Sequence, residues 1–105
     1  MKTSHSVLRE CRKTLARLYG KRLKGLVLYG SSARGRATAE SDIDLLVLLE
    51  GPVNVSHEIH RIWQVLYPVQ LRSDRVISVM PADASAYGKG SYALYANVQR
   101  HGIPV

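Results

Sequence analysis

The sequence predicts an α/β (α+β) domain, a small mixed β-sheet with helices packed on it. Three observations carry this expectation. Two segments place apolar residues at spacings of three and four, the period of a helix with one buried face. Between and after them lie short apolar runs rich in strand formers. One of these, "DIDLLVLLE", is apolar on both faces after Asp44, as expected of a central strand covered on both sides. The resulting order is helix, strand, strand, helix, strand, helix. At 105 residues it makes one domain, residues 1–105, with a modest core and no room for a separate substrate domain.

Each element has its own local reason. Val7, Leu8, Cys11, Leu15, Leu18 and Tyr19 predict an amphipathic helix over residues 4–19, ending near Gly20. "LKGLVLYG" reads as a first strand bounded by Gly25 and Gly30. A short helix or turn is expected from Ser31 to Arg36, then a loop to Ser41. The "DIDLLVLLE" strand follows, and "GPVN" breaks it. Val55, Ile59, Ile62, Trp63 and Leu66 predict a second amphipathic helix, stopped before Pro68 because proline has no N–H to continue the ladder. "RVISVM", residues 75–80, reads as a third strand closed by Pro81. "SYALYANVQRH" reads as a last helix with Gly102 as its C-terminal cap.

Composition narrows the company the chain keeps. A formal charge of +7, from 15 Lys and Arg against 8 Asp and Glu, favours nucleotides, nucleic acid or an acidic protein surface. Much of the excess lies on or just after the first helix, at Arg9, Arg12, Lys13, Arg17, Lys21, Arg22 and Lys24, and reads as a solvated face. With no Phe and one Trp, a base-stacking platform is poorly supported, and a nucleic-acid-binding module is the least favoured function. The single cysteine, Cys11, cannot form an internal disulfide and fits a reducing compartment, so the cytoplasm is expected. No apolar stretch approaches the roughly 20 residues of a membrane span, and the N-terminus lacks the apolar region of a signal peptide.

The residues with chemistry to explain sit where the two strands face each other. Asp42 and Asp44, two apart, project to one face of a strand from origins about 6 to 7 Å apart. Paired carboxylates at a partly buried strand end are costly unless a cation compensates them, and Mg²⁺ suits carboxylate oxygens while accepting phosphate oxygens as further ligands. Upstream, Gly30 permits close backbone approach, and Ser31 and Ser32 offer hydroxyls and N–H groups at a predicted helix start. Arg34 and Arg36 add positive charge. The glycine–lysine–serine ending of the common phosphate-binding loop is missing.

Gly30, Ser31, Gly35 and the run Ser41-Asp42-Ile43-Asp44-Leu45 resemble the GS…G…SDxDLxV signature of the DNA polymerase β-like nucleotidyltransferases, in particular the minimal nucleotidyltransferases of bacteria and archaea. That resemblance implies transfer of a nucleoside monophosphate, usually AMP from ATP, to a hydroxyl with release of pyrophosphate. It implies two Mg²⁺ ions, held about 3.5 to 4 Å apart in such chemistry. Asp42 and Asp44 would be the metal ligands and catalytic carboxylates, and Gly30, Ser31, Ser32, Arg34 and Gly35 would hold the nucleotide's phosphates. The family's third carboxylate, on the following strand, aligns with Ser78 here, which carries no charge and is no base at neutral pH. Asp74, before that strand, is the substitute candidate, and Asp83 lies beyond Pro81. Minimal members of this kind are often encoded beside a HEPN-type partner and act as its antitoxin, some by adenylylating it. The competing reading is an antitoxin or assembly subunit that neutralises its partner by contact alone. A small sheet with open edges also leaves self-association possible.

Other residues attract milder expectations. His57 and His60 flank Glu58 in "HEIH", but without a third ligand type nearby the segment reads as a solvated helix face rather than a zinc site. Trp63 falls on the apolar stripe and is expected in the core. Tyr92 and Tyr95 are expected to pack while keeping their hydroxyls wet. His5, His101 and Cys11 carry no signal of their own.

Overall fold

A computed structural model describes residues 4–30, 33 and 41–105. The turn expected from Ser31 to Arg36 and the loop after it fall almost wholly outside the described residues. Helix α1 spans Ser4–Tyr19 and closes through a 3-10 turn, Gly20–Arg22. Strand β1 is Leu23–Tyr29, β2 is Ile43–Leu49 and α2 is Val55–Leu71. Strand β3 is Ile77–Asp83, followed by α3, Ala84–Lys89, α4, Ala93–His101, and a two-residue β4, Ile103–Pro104.

The four strands form one mixed sheet in the order β3-β2-β1-β4. β1 runs antiparallel to both β2 and β4, while β3 returns parallel to β2 after the α2 crossover. β2 is therefore central, and its alternation feeds two cores. Ile43, Leu45, Val47 and Leu49 point into a core with Val7, Cys11 and Leu15 of α1 and Ile62, Leu66 and Val69 of α2. Leu46 and Leu48 point the other way, onto Val27, Ala82 and Val98, with Tyr29, Met80, Tyr87 and Tyr95 around them. This accounts for an apolar run with no polar alternation: every position after Asp44 meets a protein layer.

Two local expectations are corrected. α2 does not stop before Pro68 but runs three residues past it, because Leu66 and Val69, on either side of the exposed proline, are both buried in the main core. β3 likewise continues through Pro81, which pairs with Val47. β3 lies at the edge of the sheet, where an N–H turned away from β2 has no ladder partner to lose. Gly102 caps α4 as expected, in an extended conformation (φ −73°, ψ 157°). Space requires glycine there, since a Cβ would lie 2.6 Å from both Val27 Cγ1 and the Val98 carbonyl oxygen. The short α3 and β4 are additional to the expected elements; α3 is capped by Asp83, whose Oδ1 accepts from the Ser85 and Ala86 N–H groups at 2.8 and 3.3 Å.

Candidate active site

β1 and β2 bring the candidate residues together at one end of the sheet. In the ladder Asp44 stands opposite Tyr29 on one side and Ser78 on the other. Gly30 follows Tyr29 immediately and takes a left-handed conformation, φ +74°. A Cβ on Gly30 would come within 3.0 Å of Asp44 Oδ2, closer than real Cβ atoms approach. The backbone turn and the carboxylate thus occupy adjoining space that only a residue without a side chain leaves open.

Asp44 lies on the α3/α4 side of β2, half-buried, and Asp42 precedes the strand and is exposed. Burial pushes the Asp44 carboxyl above its ordinary value, the charge of Asp42 pushes it further, and Arg75 partly offsets both. Asp44 in turn adds to the effect of burial in raising the Tyr29 hydroxyl. A half-buried carboxylate whose charge is made costlier by a second one two residues away, next to a glycine turn, is a hard-oxygen donor pair of the kind that suits Mg²⁺.

The entry to β2 is tied to the entry to β3. The Ile43 N–H donates to the Val76 carbonyl at 2.8 Å. Arg75 Nε donates to the Ser41 carbonyl at 2.6 Å and Nη2 to the Asp42 carbonyl at 3.1 Å. Arg75 was absent from the expected site. Its only signal is its place at the head of the strand expected over residues 75–80, which begins at Ile77 in the structure and becomes informative once it is known to pair with β2.

Asp74 and Asp83 lie apart from this cluster in the fold. Asp74 sits in an exposed bend between α2 and β3, four residues before Ser78, and among the described residues no three His, Cys, Asp or Glu side chains gather into a metal-binding group. Among the described residues Asp74 therefore does not complete a three-residue metal-binding group with Asp42 and Asp44. Asp83 pairs with Leu49 at the far end of β3, about 16 Å from Ser78 at the usual strand rise. Ser31, Ser32, Arg34 and Gly35 fall outside the described residues.

The "HEIH" segment is only partly the solvated face expected of it. His57 and His60 are exposed, but Glu58 between them is 3% exposed. It accepts from Tyr19 Oη and Arg22 Nη1, both at 2.8 Å, and from Arg61 Nη1 at 3.3 Å. The signal was available: Glu58 stands one step of four before Ile62 on the stripe Ile62, Leu66, Val69. Trp63 is partly buried against the main core. Tyr95 packs on the second core, and the exposed Tyr92 ring lies against it with centroids 5.3 Å apart.

Residues 8–81 match the sequence model of the nucleotidyltransferase domain. The chain belongs to that family. Nucleotidyl transfer is accordingly the reaction class to which this domain belongs. No curated protein matches the sequence. Among solved structures, a candidate nucleotidyltransferase from Sulfolobus solfataricus superposes with a TM-score of 0.65 at 20% identity, covering 94% of this chain and 76% of that one. A point mutant of the toxin–antitoxin pair MntA-HpeT gives a TM-score of 0.57 at 19% identity, covering 100% of this chain and 72% of that one. A toxin–antitoxin structure with AMP-PNP gives 0.57 at 21%, covering 97% and 72%. These likenesses show the nucleotidyltransferase fold, with its four-stranded mixed sheet. No described helix is long and apolar enough to cross a membrane.

Proposed function

We propose that this nucleotidyltransferase is a single minimal domain that transfers a nucleoside monophosphate, AMP from ATP, to a hydroxyl of a partner macromolecule, acting in the cytoplasm as the antitoxin of a HEPN-type toxin. The observation that carries the reading is the contact of Gly30 with Asp44, which puts a side-chain-free turn against the inner member of a carboxylate pair. In the transfer the acceptor hydroxyl loses its proton to solvent, a bond forms between its oxygen and the α-phosphorus, the bond from that phosphorus to the β-bridging oxygen breaks, and pyrophosphate leaves. Asp42 and Asp44 would hold Mg²⁺, which supplies positive charge where phosphoryl oxygens gather. The Gly30 turn, with Ser31, Ser32, Arg34 and Gly35, would hold the phosphates. The protein's own contribution is positioning and charge neutralisation. The antitoxin assignment is supported by the two fold neighbours found in toxin–antitoxin structures, one of them with AMP-PNP.

A specific observation favours a second reading. Ser78 stands opposite Asp44 in the ladder, where a third carboxylate would complete the site, so a weakened or inactive enzyme that neutralises its partner by contact is the competing function. One experiment separates the two. The chain is incubated with α-labelled ATP, Mg²⁺ and the protein encoded beside it, and label on that protein is measured. Transfer of label, erased by Asp42→Asn or Asp44→Asn together with neutralisation, supports the enzyme. No label, with both variants neutralising as well as the parent, supports the binding antitoxin.

A further inference from the structure

Arg75 is held at both ends. Its own carbonyl accepts from Gln70 Nε2 at 3.0 Å and from Ser73 Oγ at 2.8 Å, and the same Gln70 accepts from the Ile77 N–H at 2.7 Å. Its guanidinium grips the carbonyls of Ser41 and Asp42. With its main chain tied to α2 and its head tied to the entry of β2, this arginine cannot swing away as a surface side chain would. It places a permanent positive charge beside the segment that carries both carboxylates.

We propose that Arg75 is a positioning residue of the site, and that its fixed guanidinium, together with the neutral Ser78 opposite Asp44, sets the charge so that the pair holds one divalent cation rather than two. The inference rests on reading Asp42 and Asp44 as a cation site and deepens it by naming the number of ions. Two carboxylates and one guanidinium leave a net charge of −1 from these three groups (−2 and +1). Two divalent ions a few ångströms apart repel one another strongly and need dense negative charge between them. Ser78 offers a hydroxyl in the place where that charge would come from, and Arg75 subtracts from what remains.

The test is a titration of Mn²⁺ into the full chain at low salt, with free ion followed by its electron paramagnetic resonance and folding checked by circular dichroism. The parent binds one ion, lost in Asp42→Asn and Asp44→Asn. Arg75→Gln tightens that ion about tenfold, the effect of one charge on a divalent ion about 6 Å away in water-like surroundings. Arg75→Lys keeps the parent affinity within about twofold, since the charge is retained although the fork is not. A merely structural arginine would give the opposite order, both variants binding more weakly. Ser78→Asp, which turns a carboxylate toward Asp44, admits a second ion and gives an independent check. Two Asp-dependent ions on the parent, or an Arg75→Gln variant that binds no more tightly, would overturn this inference alone. No Asp-dependent ion on the parent would overturn the metal-dependent transferase reading as well.

Discussion

Gly30 and Asp44 show how a single contact couples conformation to chemistry. Alanine at Gly30 must adopt a left-handed conformation and displace the Asp44 carboxylate. Gly30→Ala should therefore lower stability by about 1–2 kcal/mol and remove transfer activity, a thermal melt reading the first effect and labelled-ATP transfer the second. Asp44→Asn should act in the opposite sense on the metal-free chain. Because burial and Asp42 raise the Asp44 pKa, folding favours its neutral form, so the ionised group weakens the fold as pH rises through the raised value. With chelator present, Asp44→Asn should melt above the parent at pH 7, and the gap should close as pH falls to below the ordinary value of 3.8. A variant that melts lower at pH 7 would mean that Asp44 is already compensated within the chain.

Between elements, Glu58 is a buried polar tie. It joins α2 to Tyr19 at the end of α1 and to Arg22, whose guanidinium also donates to the carbonyls of Glu50 and Pro52 at 2.9 Å each. Burial alone would raise the Glu58 carboxyl, but hydrogen bonds from Arg22 and Tyr19 and the charges of Arg22 and Arg61 outweigh it and hold it low. A lowered carboxyl contributes stability above its unfolded pKa and loses it as pH falls through the folded one, so this contribution fades on acidification below about 4.5. Glu58→Gln should cost about 2 kcal/mol at pH 7, less than a fully buried pair because both arginines can regain water, and the loss should vanish in acid when followed by urea unfolding. Pro68 tests the opposite case. Its ring interrupts α2 on the exposed side without ending it, so Pro68→Ala should stabilise the chain by about 1–3 kcal/mol in the same assay.

In the folded chain as a whole, α1 and α2 cover one face of the sheet and α3 and α4 the other, while Gly30 and Asp44, at one end of the sheet, are each only partly buried. A ligand that binds only the folded site must stabilise all of it. Saturating Mg²⁺ and a non-hydrolysable ATP analogue at about 100 times the dissociation constant should add about 2.7 kcal/mol to the parent, read as a raised melting midpoint. The same mixture should leave Asp42→Asn almost unmoved. An equal rise in parent and variant would place the nucleotide elsewhere on this basic molecule.

The long helices, the two inner strands and the Gly30 and Asp42–Asp44 cluster are legible in the linear chain because each is written in local terms. A helical or two-residue period, a glycine after an apolar run, and aspartates where strands seldom carry them can all be read within a dozen residues. Pro68 and Pro81 mislead for the same reason: their local preference is to stop an element, and packing from distant residues overrides it. Glu58 inside the fold, Gly102 against Val27, the pairing of Ser78 with Asp44 and the grip of Arg75 on the entry to β2 all depend on which segments become neighbours. Those pairings join residues up to 75 positions apart, as Gly102 and Val27 are, and no local pattern records them. Chain-local physics is enough to mark the carboxylates, but only the folded sheet determines which charges stand beside them, because electrostatic interactions depend on distance in space and not on separation along the chain.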